Sequence, residues 1–389
     1  MRFRHRDGTL VHLAYCTNVH PAETLAGVLS QLDRYAVPVR ATLGTNRLGL
    51  GLWLAADVVG ELVGDPAAVA DLRRALADRG VEVVTFNGFP YRGFHDEVVK
   101  GAVYRPDWTT EARLAYTLNL AQLLAALLPG DAAGGSVSTL PLAWRSPWEP
   151  AARELAAARL AELAGGLAVR AEQSGRPIRV GFEPEPGCVV ESTADAAANL
   201  SDVDRQWLGV CLDACHLAVG FEEPAAALGR LAAAGLPVVK AQVSCALQVD
   251  QPGDLATRQL LAGFVEPRFL HQARASTPAG VSGVDDLDLA LAGGLPASAP
   301  WRVHFHVPLH APAAPPLAST QPVLVETLRQ LLGGDRALTA HLEVETYTWQ
   351  VLPPGARPAG DADLVAGIAA ELAWTRDRLV ELGLEEEPE

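Results

Sequence analysis

Cysteine is scarce and scattered: Cys16, Cys188, Cys211, Cys215 and Cys245 include no C-x-x-C pair. An odd, dispersed set in a 389-residue chain excludes a disulfide framework and favours a reducing compartment, so a cytoplasmic protein is expected. Long apolar runs are missing as well, each being broken by charge before the roughly 20 residues that a membrane span needs. The first residues, Met1 to Asp7, are polar and hold no apolar stretch of a signal peptide. Positive charge is in deficit, 31 Lys and Arg against 46 Asp and Glu, a net −15. Phosphate-rich partners would be repelled, which argues against nucleic acid and anionic membranes. No G-x-G-x-x-G follows the first strand-like run, and no G-x-x-x-x-G-K-S/T occurs, so a nucleotide-phosphate cradle is unsupported. No G-x-S-x-G elbow is present, and Cys215 beside His216 reads as a small core thiol, which disfavours nucleophilic acyl transfer. Few lysines and one methionine beside abundant Ala, Gly and Pro match a GC-rich bacterial source.

What is present is core material, with 49% hydrophobic and 20% charged residues. Short β-rich runs alternate with amphipathic helices. Strands are expected at 10–16, 37–43, 81–87, 136–140, 178–183, 208–213 and 237–242. Helices are expected at 21–35, 65–79, 109–128 and 150–174. Leu25, Val28, Leu29 and Leu32 lay one apolar stripe on the first helix, and Pro66 with Gly80 brackets the second. Alternation without hairpin signals predicts parallel strands joined by right-handed crossovers. An open doubly wound sheet is the competitor. A (β/α)8 TIM barrel is preferred because polar residues recur at the C-terminal end of nearly every strand, whereas an open sheet gathers them at one switch point. Three strand-like stretches, 268–274, 301–307 and 340–348, then compete for one remaining slot. The last is assigned to the eighth strand. The other two belong to an excursion, 243–322, that leaves the seventh βα loop as a hairpin over the barrel mouth. A helix at 361–382 closes a single domain of residues 1–384, and 385–389 is a frayed tail.

The densest chemistry is Gly181-Phe-Glu183-Pro-Glu185-Pro-Gly187. Period-two spacing points Glu183 and Glu185 to one face at a strand end. Two carboxylates leaving an apolar run are costly to desolvate unless a cation or donors receive them. A salt-bridged or solvated loop pair is the alternative. The next strand ends Cys211-Leu-Asp213-Ala-Cys-His216, which brings a third carboxylate and an imidazole to the same rim. Further on stand His304-Phe-His306 and His341-Leu-Glu343-Val-Glu345, each pair again on one face, although a solvent-facing pair would look the same. An oxygen-rich site with one or two imidazoles suits Mn²⁺, Mg²⁺ or a related divalent ion, Zn²⁺ included, better than a structural cysteine site. The third βα loop, Asn87 to Trp108, is rich in aromatics and carries Tyr91, His95 and Lys100. It could cover a polyol by stacking rings on C–H faces. His20, Lys240, Gln242 and Trp349 occupy corresponding positions near other strand ends.

Glu183-Pro-Glu-Pro-Gly187 resembles the E-P-x-P-G strand end of the xylose-isomerase-like TIM barrels, the sugar phosphate isomerase/epimerase superfamily, and Asp213-Ala-Cys-His216 resembles its D-x-x-H motif. The resemblance implies that Glu183 and Asp213 bind a divalent metal and that His216 contacts metal or substrate. The family's histidine on the seventh strand is replaced by Gln242, a departure for which His306 or His271 could substitute. Its final glutamate matches Glu343 or Glu345. The stretches from Leu13 to Pro21, Phe86 to Tyr91 and His341 to Trp349 resemble more narrowly the EboE family of metabolite-traffic proteins. That likeness implies a bacterial gene-cluster system handling a small secondary metabolite, with other proteins of the cluster, one prenyltransferase-like, as partners.

The expected activity is a metal-dependent isomerase or epimerase of a sugar or cyclitol, by proton abstraction alpha to a carbonyl. Glu183, Glu185, His216 and Glu345 are the candidate catalytic groups. Glu183, Asp213, His216, Gln242, His306, Glu343 and Glu345 are the candidate ligands. His20, Asn87, Tyr91, His95, Lys100, Lys240 and Trp349 are the candidate substrate contacts. A metal-assisted hydrolase or dehydratase, or a carrier that binds without turnover, would use the same pocket.

Overall fold

The computed structural model describes residues 1–311 and 313–387. Eight parallel strands close into a barrel: β2 (Leu10–Cys16), β3 (Leu48–Trp53), β4 (Val81–Asn87), β5 (Gly135–Thr139), β6 (Ile178–Phe182), β7 (Leu208–Asp213), β8 (Val238–Val243) and β14 (His341–Val344). Closure is made where β14 pairs with β2, Glu343 opposite Ala14, and with β8, Glu343 opposite Gln242. Helices cover the outside, among them Pro66–Asp78, Glu111–Leu127, Pro150–Ser174, Pro224–Ala233, Gln321–Leu332 and Asp361–Glu381. Several start on proline, where the missing N–H costs nothing, and Asp65 and Glu223 cap theirs by accepting from two backbone amides each.

The run at 37–43 is a correction. Val37–Leu43 is helical, continuing from Leu25–Gln31 through one wider turn at Leu32–Ala36, and the strand comes later as Leu48–Trp53. Pro38 lies in the first turn of that helix, where proline is tolerated, and Gly44 ends it in a left-handed conformation. The true strand, Leu-Gly-Leu-Gly-Leu-Trp, looks weak by propensity because its inward positions are glycines. A side chain at Gly49 would strike the Leu13 backbone, and one at Gly51 would occupy the space of the Glu343 carboxylate.

The excursion is larger than a hairpin. Between β8 and the helix Gln321–Leu332 the chain builds a five-stranded antiparallel sheet from β9 (Leu247–Val249), β10 (Ala273–Thr277), β11 (Gly280–Val284), β12 (Trp301–Val303) and β13 (Leu317–Ser319). Its order is β11-β10-β12-β9-β13. Three of its strands span only three residues each, and their hydrogen-bond partners are remote in sequence. The C-terminal tail differs as well. β1 (Arg2–Arg4) pairs antiparallel with β2 on one side and with β15 (Glu385–Glu386) on the other. Arg4 ion-pairs with Glu387, so these acidic residues are tied to a basic edge rather than frayed; residues 388 and 389 lie outside the described ones.

The barrel interior is unusually polar. Thr85, Ser136, Ser138, Lys240, Gln242, His341 and Glu343 are all buried. Ser136 donates to Thr85 at 2.8 Å and lies 2.8 Å from His341 Nδ1. One layer higher, Lys240 ion-pairs with Glu343 and reaches Ser138 Oγ at 3.2 Å. Among the described residues, no helix is long and apolar enough to cross a membrane, and all five cysteines are free and buried.

Candidate active site

Three strand ends deliver carboxylates to one point of the barrel's C-terminal rim. Glu183 follows β6 directly, Asp213 ends β7, and Glu345 follows β14 directly. Ligand atoms of Glu183, Asp213 and Glu345 all lie within 4.8 Å of one another, and so do those of Asp213, His216 and His306. Asp213 Oδ1 caps the short helix Ala214–Val219 through His216 N at 2.8 Å and accepts from Ser244 Oγ at 2.9 Å. Those bonds leave Asp213 Oδ2 without a partner; Glu183 Oε2 and His306 Nε2 are likewise bare. Glu345 Oε1 accepts from Asn18 at 2.7 Å and Asn87 at 2.8 Å.

The carboxylates of this cluster are buried and repel one another. Burial, then Glu345 and Asp213, push the Glu183 carboxyl well above its ordinary range. Burial, then Asp213 and Glu343, push Glu345 up to about 8. Burial holds the His306 imidazole down to about 4, so its ring is neutral. Its Nδ1 lies 2.6 Å from the Glu345 carbonyl oxygen, so Nδ1 carries the hydrogen and Nε2 presents a lone pair. Three buried carboxylates and one imidazole lone pair with no partner match the donor set of a divalent cation such as Mg²⁺, Mn²⁺ or Zn²⁺.

A second layer of imidazoles stands beside this cluster. His216 Nδ1 is 3.0 Å from Pro184 O, and His304 Nδ1 is 2.7 Å from Gln272 Oε1. Gln272 is oriented by donating Nε2 to Pro186 O at 2.9 Å, so both imidazoles carry their hydrogen on Nδ1. Their Nε2 atoms then face each other at 3.0 Å with two lone pairs, which need a shared proton or a cation between them. Glu185 completes this layer. Tyr104 Oη donates to its Oε1 at 2.7 Å, Oε2 is unpartnered, and burial pushes its carboxyl up to about 8.

These groups floor a small cavity of about 60 Å³ that opens at the barrel mouth. Glu183, Glu185, His216, His306, Glu345, Asn87 and Lys100 line it, as the sequence suggested; Asp213 sits in the cluster behind. Other expected contacts lie elsewhere. His20 stacks on Tyr35 with ring centres 3.9 Å apart and meets Tyr15 Oη at 3.2 Å. Tyr91 packs on Tyr116, His95 backs the wall against Trp53 and Phe94, and Trp349 donates to Glu371 at 3.2 Å. Lys240 and Glu343 are spent on each other one layer below the cluster, and Gln242 is buried in the interior with neither amide atom hydrogen-bonded. His271 is held by Glu266 Oε1 at 2.9 Å and the His304 carbonyl oxygen at 2.8 Å, away from the cluster. Sequence reasoning missed Gln272, Phe269 and Leu270. They carry no local signal, and the excursion alone brings Phe269 and Leu270 to the cavity and Gln272 to His304.

Residues 54–245 match the family model described as xylose isomerase-like TIM barrel. The chain has the xylose isomerase-like TIM-barrel fold. It is similar to a xylose isomerase-like TIM barrel protein from Mycobacterium smegmatis in complex with magnesium, at TM-score 0.51 and 14% identity over 95% of this chain and 98% of that one. It is also similar to a D-allulose 3-epimerase from Methylomonas sp., at TM-score 0.50 and 14% identity over 97% and 100%. A D-psicose 3-epimerase with D-tagatose from Clostridium cellulolyticum H10 follows at TM-score 0.50 and 12% identity over 94% and 99%. No curated protein matches the sequence significantly. Within a xylose isomerase-like barrel, a C-terminal rim carrying the charged cluster is where the βα loops build ligand sites.

Proposed function

We propose that the chain is a divalent-metal-dependent isomerase or epimerase of a sugar- or cyclitol-like small molecule, acting by proton abstraction alpha to a carbonyl. The observation that carries this reading is that the groups Glu183–Asp213–Glu345 and Asp213–His216–His306 share Asp213 at the mouth of the barrel, with bare donor atoms on Glu183, Asp213 and His306. These four residues would hold the ion, and His306 from the excursion takes the place of the strand-borne histidine, with Gln242 and Glu343 left out of the ligand set. When bound, the ion would polarise a substrate carbonyl and neutralise the charge that develops on its oxygen.

The chain's own groups divide the remaining work. Glu185 lies outside the Glu183–Asp213–Glu345 cluster and keeps one oxygen bare, so it is the group that takes the proton at Oε2, and a second group returns one to the substrate. Tyr104 fixes its other oxygen. Asn18 and Asn87 hold the Glu345 carboxylate in place, and His216, aligned by Pro184 and His304, contacts the ion or the substrate hydroxyl. The neighbouring 3-epimerases of like fold lend support to the sugar reading.

The more specific membership, among EboE-like metabolite-traffic proteins in the bacterial cytoplasm, is supported by three stretches of sequence. Leu13 to Pro21, Phe86 to Tyr91 and His341 to Trp349 run along β2, β4 and β14 and all end at the barrel mouth. Protein partners would then come from the same gene cluster. Metal analysis of the purified chain, with solvent-deuterium incorporation into a panel of ketoses and inososes followed by NMR, tests the proposal. Bound metal with exchange that Glu185→Gln abolishes is the expected result. Bound metal without exchange across the panel would sink the isomerase reading and leave a carrier.

A further inference from the structure

The cavity has two unlike halves. Its floor is the polar set described above, and its outer wall is Phe89, Phe94, Val99, Val103, Phe269 and Leu270. Two segments far apart in sequence make that wall by docking on each other. Val99 N and Lys100 N both donate to Arg268 O at 2.8 Å, and the rings of Phe94 and Phe269 lie 5.1 Å apart. Lys100, held at φ 40, ion-pairs with Asp286 and turns its ammonium to the Glu266 carbonyl. The polar backbone at the wall is also spent. Pro90 O accepts from Trp53 Nε1 at 2.9 Å and Tyr116 Oη at 3.1 Å, and Arg268 O is taken by Val99 and Lys100.

We infer that the substrate is an unphosphorylated molecule with an oxygenated head and an apolar aryl or alkyl substituent, the head at the carboxylate floor and the substituent on this wall. The inference rests on the metal-dependent reading of the floor. A free polyol carries hydroxyls on every side, and each one pressed against the wall would lose its water with no partner in return. A phosphorylated sugar fits worse. Among the described lining residues, Lys100 is the one Lys or Arg side chain, it is already paired, and Glu183, Glu185 and Glu345 face the same space.

Titration calorimetry on the full chain loaded with Mn²⁺ tests this. The probes are D-glucose, D-fructose and myo-inositol, each beside its O-phenyl derivative and its monophosphate. At least one phenyl derivative should bind about tenfold to a hundredfold more tightly than its parent, the size expected for burying one ring. Phe269→Ala should erase that gain, and no monophosphate should gain over its parent. Equal binding of parent and phenyl derivative for all three heads, no measurable binding of any, or preference for a phosphate would each overturn the inference without need of the variant. Mn²⁺ binding is read separately by electron paramagnetic resonance. If Mn²⁺ binds and the phenyl gain is absent, this inference alone falls. If Mn²⁺ does not bind, the metal-dependent reading falls and takes this one with it.

Discussion

Lys240 and Glu343 form an ion pair on the barrel axis, one residue layer beneath the carboxylates of the mouth, with both side chains fully buried. Charges so far from water are stable only as a pair, and removing one partner strands the other. Lys240→Met should therefore cost about 3–5 kcal/mol of stability, while Lys240→Met with Glu343→Leu should recover most of the loss. Urea unfolding of the wild type, both single variants and the double variant would show it. Additive losses would refute the pairing.

Gly51 is the space that this pair requires. A β-carbon there would overlap the Glu343 carboxylate, so the side chain must swing away and leave Lys240 unpaired. Gly51→Ala should destabilise by at least about 1–3 kcal/mol, the usual range for overpacking. In a Glu343→Ala background the same change should cost far less, a coupling that a double-mutant cycle measures directly.

At the opposite end of the barrel, Glu82 accepts from Arg2 Nη2 at 2.7 Å and lies 3.3 Å from His12 Nδ1. Burial opposes its charge, but the bonds from His12 and Arg2 prevail and hold the carboxyl down to about 2 from an ordinary 4.5. The folded value lies below the unfolded one. The stabilisation is thus complete above about pH 4.5 and is lost as pH falls toward 2. Glu82→Gln should lose about 2–3 kcal/mol at neutral pH, and the gap from wild type should narrow steadily through that acid window. A gap independent of pH between 5 and 2 would contradict the assignment.

The fourth metal donor separates His306 from His271. His306→Ala removes a bare, inward lone pair and should weaken Mn²⁺ affinity at least about tenfold, as losing a ligand does. His271→Ala breaks a bond to Glu266 away from the cluster and should leave affinity within about twofold. Competition against a fluorescent chelator reads both. Equal effects would remove His306 from the proposed ligand set.

Much of the barrel was legible because strand parity and helix periodicity are local properties. β2, β4, β7 and the helix Pro150–Ser174 were visible residue by residue, since their apolar spacing and capping lie within one segment. β3 was not, because its inward face is glycine and the reason for that glycine, Glu343, is nearly 300 positions away. Parity also could not choose between Glu343 and Glu345, which share a face. Only the depth at which Lys240 meets the first left the second at the rim.

The sequence by itself determined the alternation that closes a barrel and the carboxylates of Glu183 and Asp213 at two adjacent strand ends, because period-two geometry leaves those side chains no other side to face. Tertiary structure decided the rest. His306 reaches Asp213 only because a five-stranded excursion folds back over the mouth. His20, Tyr91 and Trp349, polar or aromatic and near the right strand ends, were claimed by their packing neighbours instead. Which lone pairs stay unpartnered depends on every bond around them, and no local pattern in the chain records that sum.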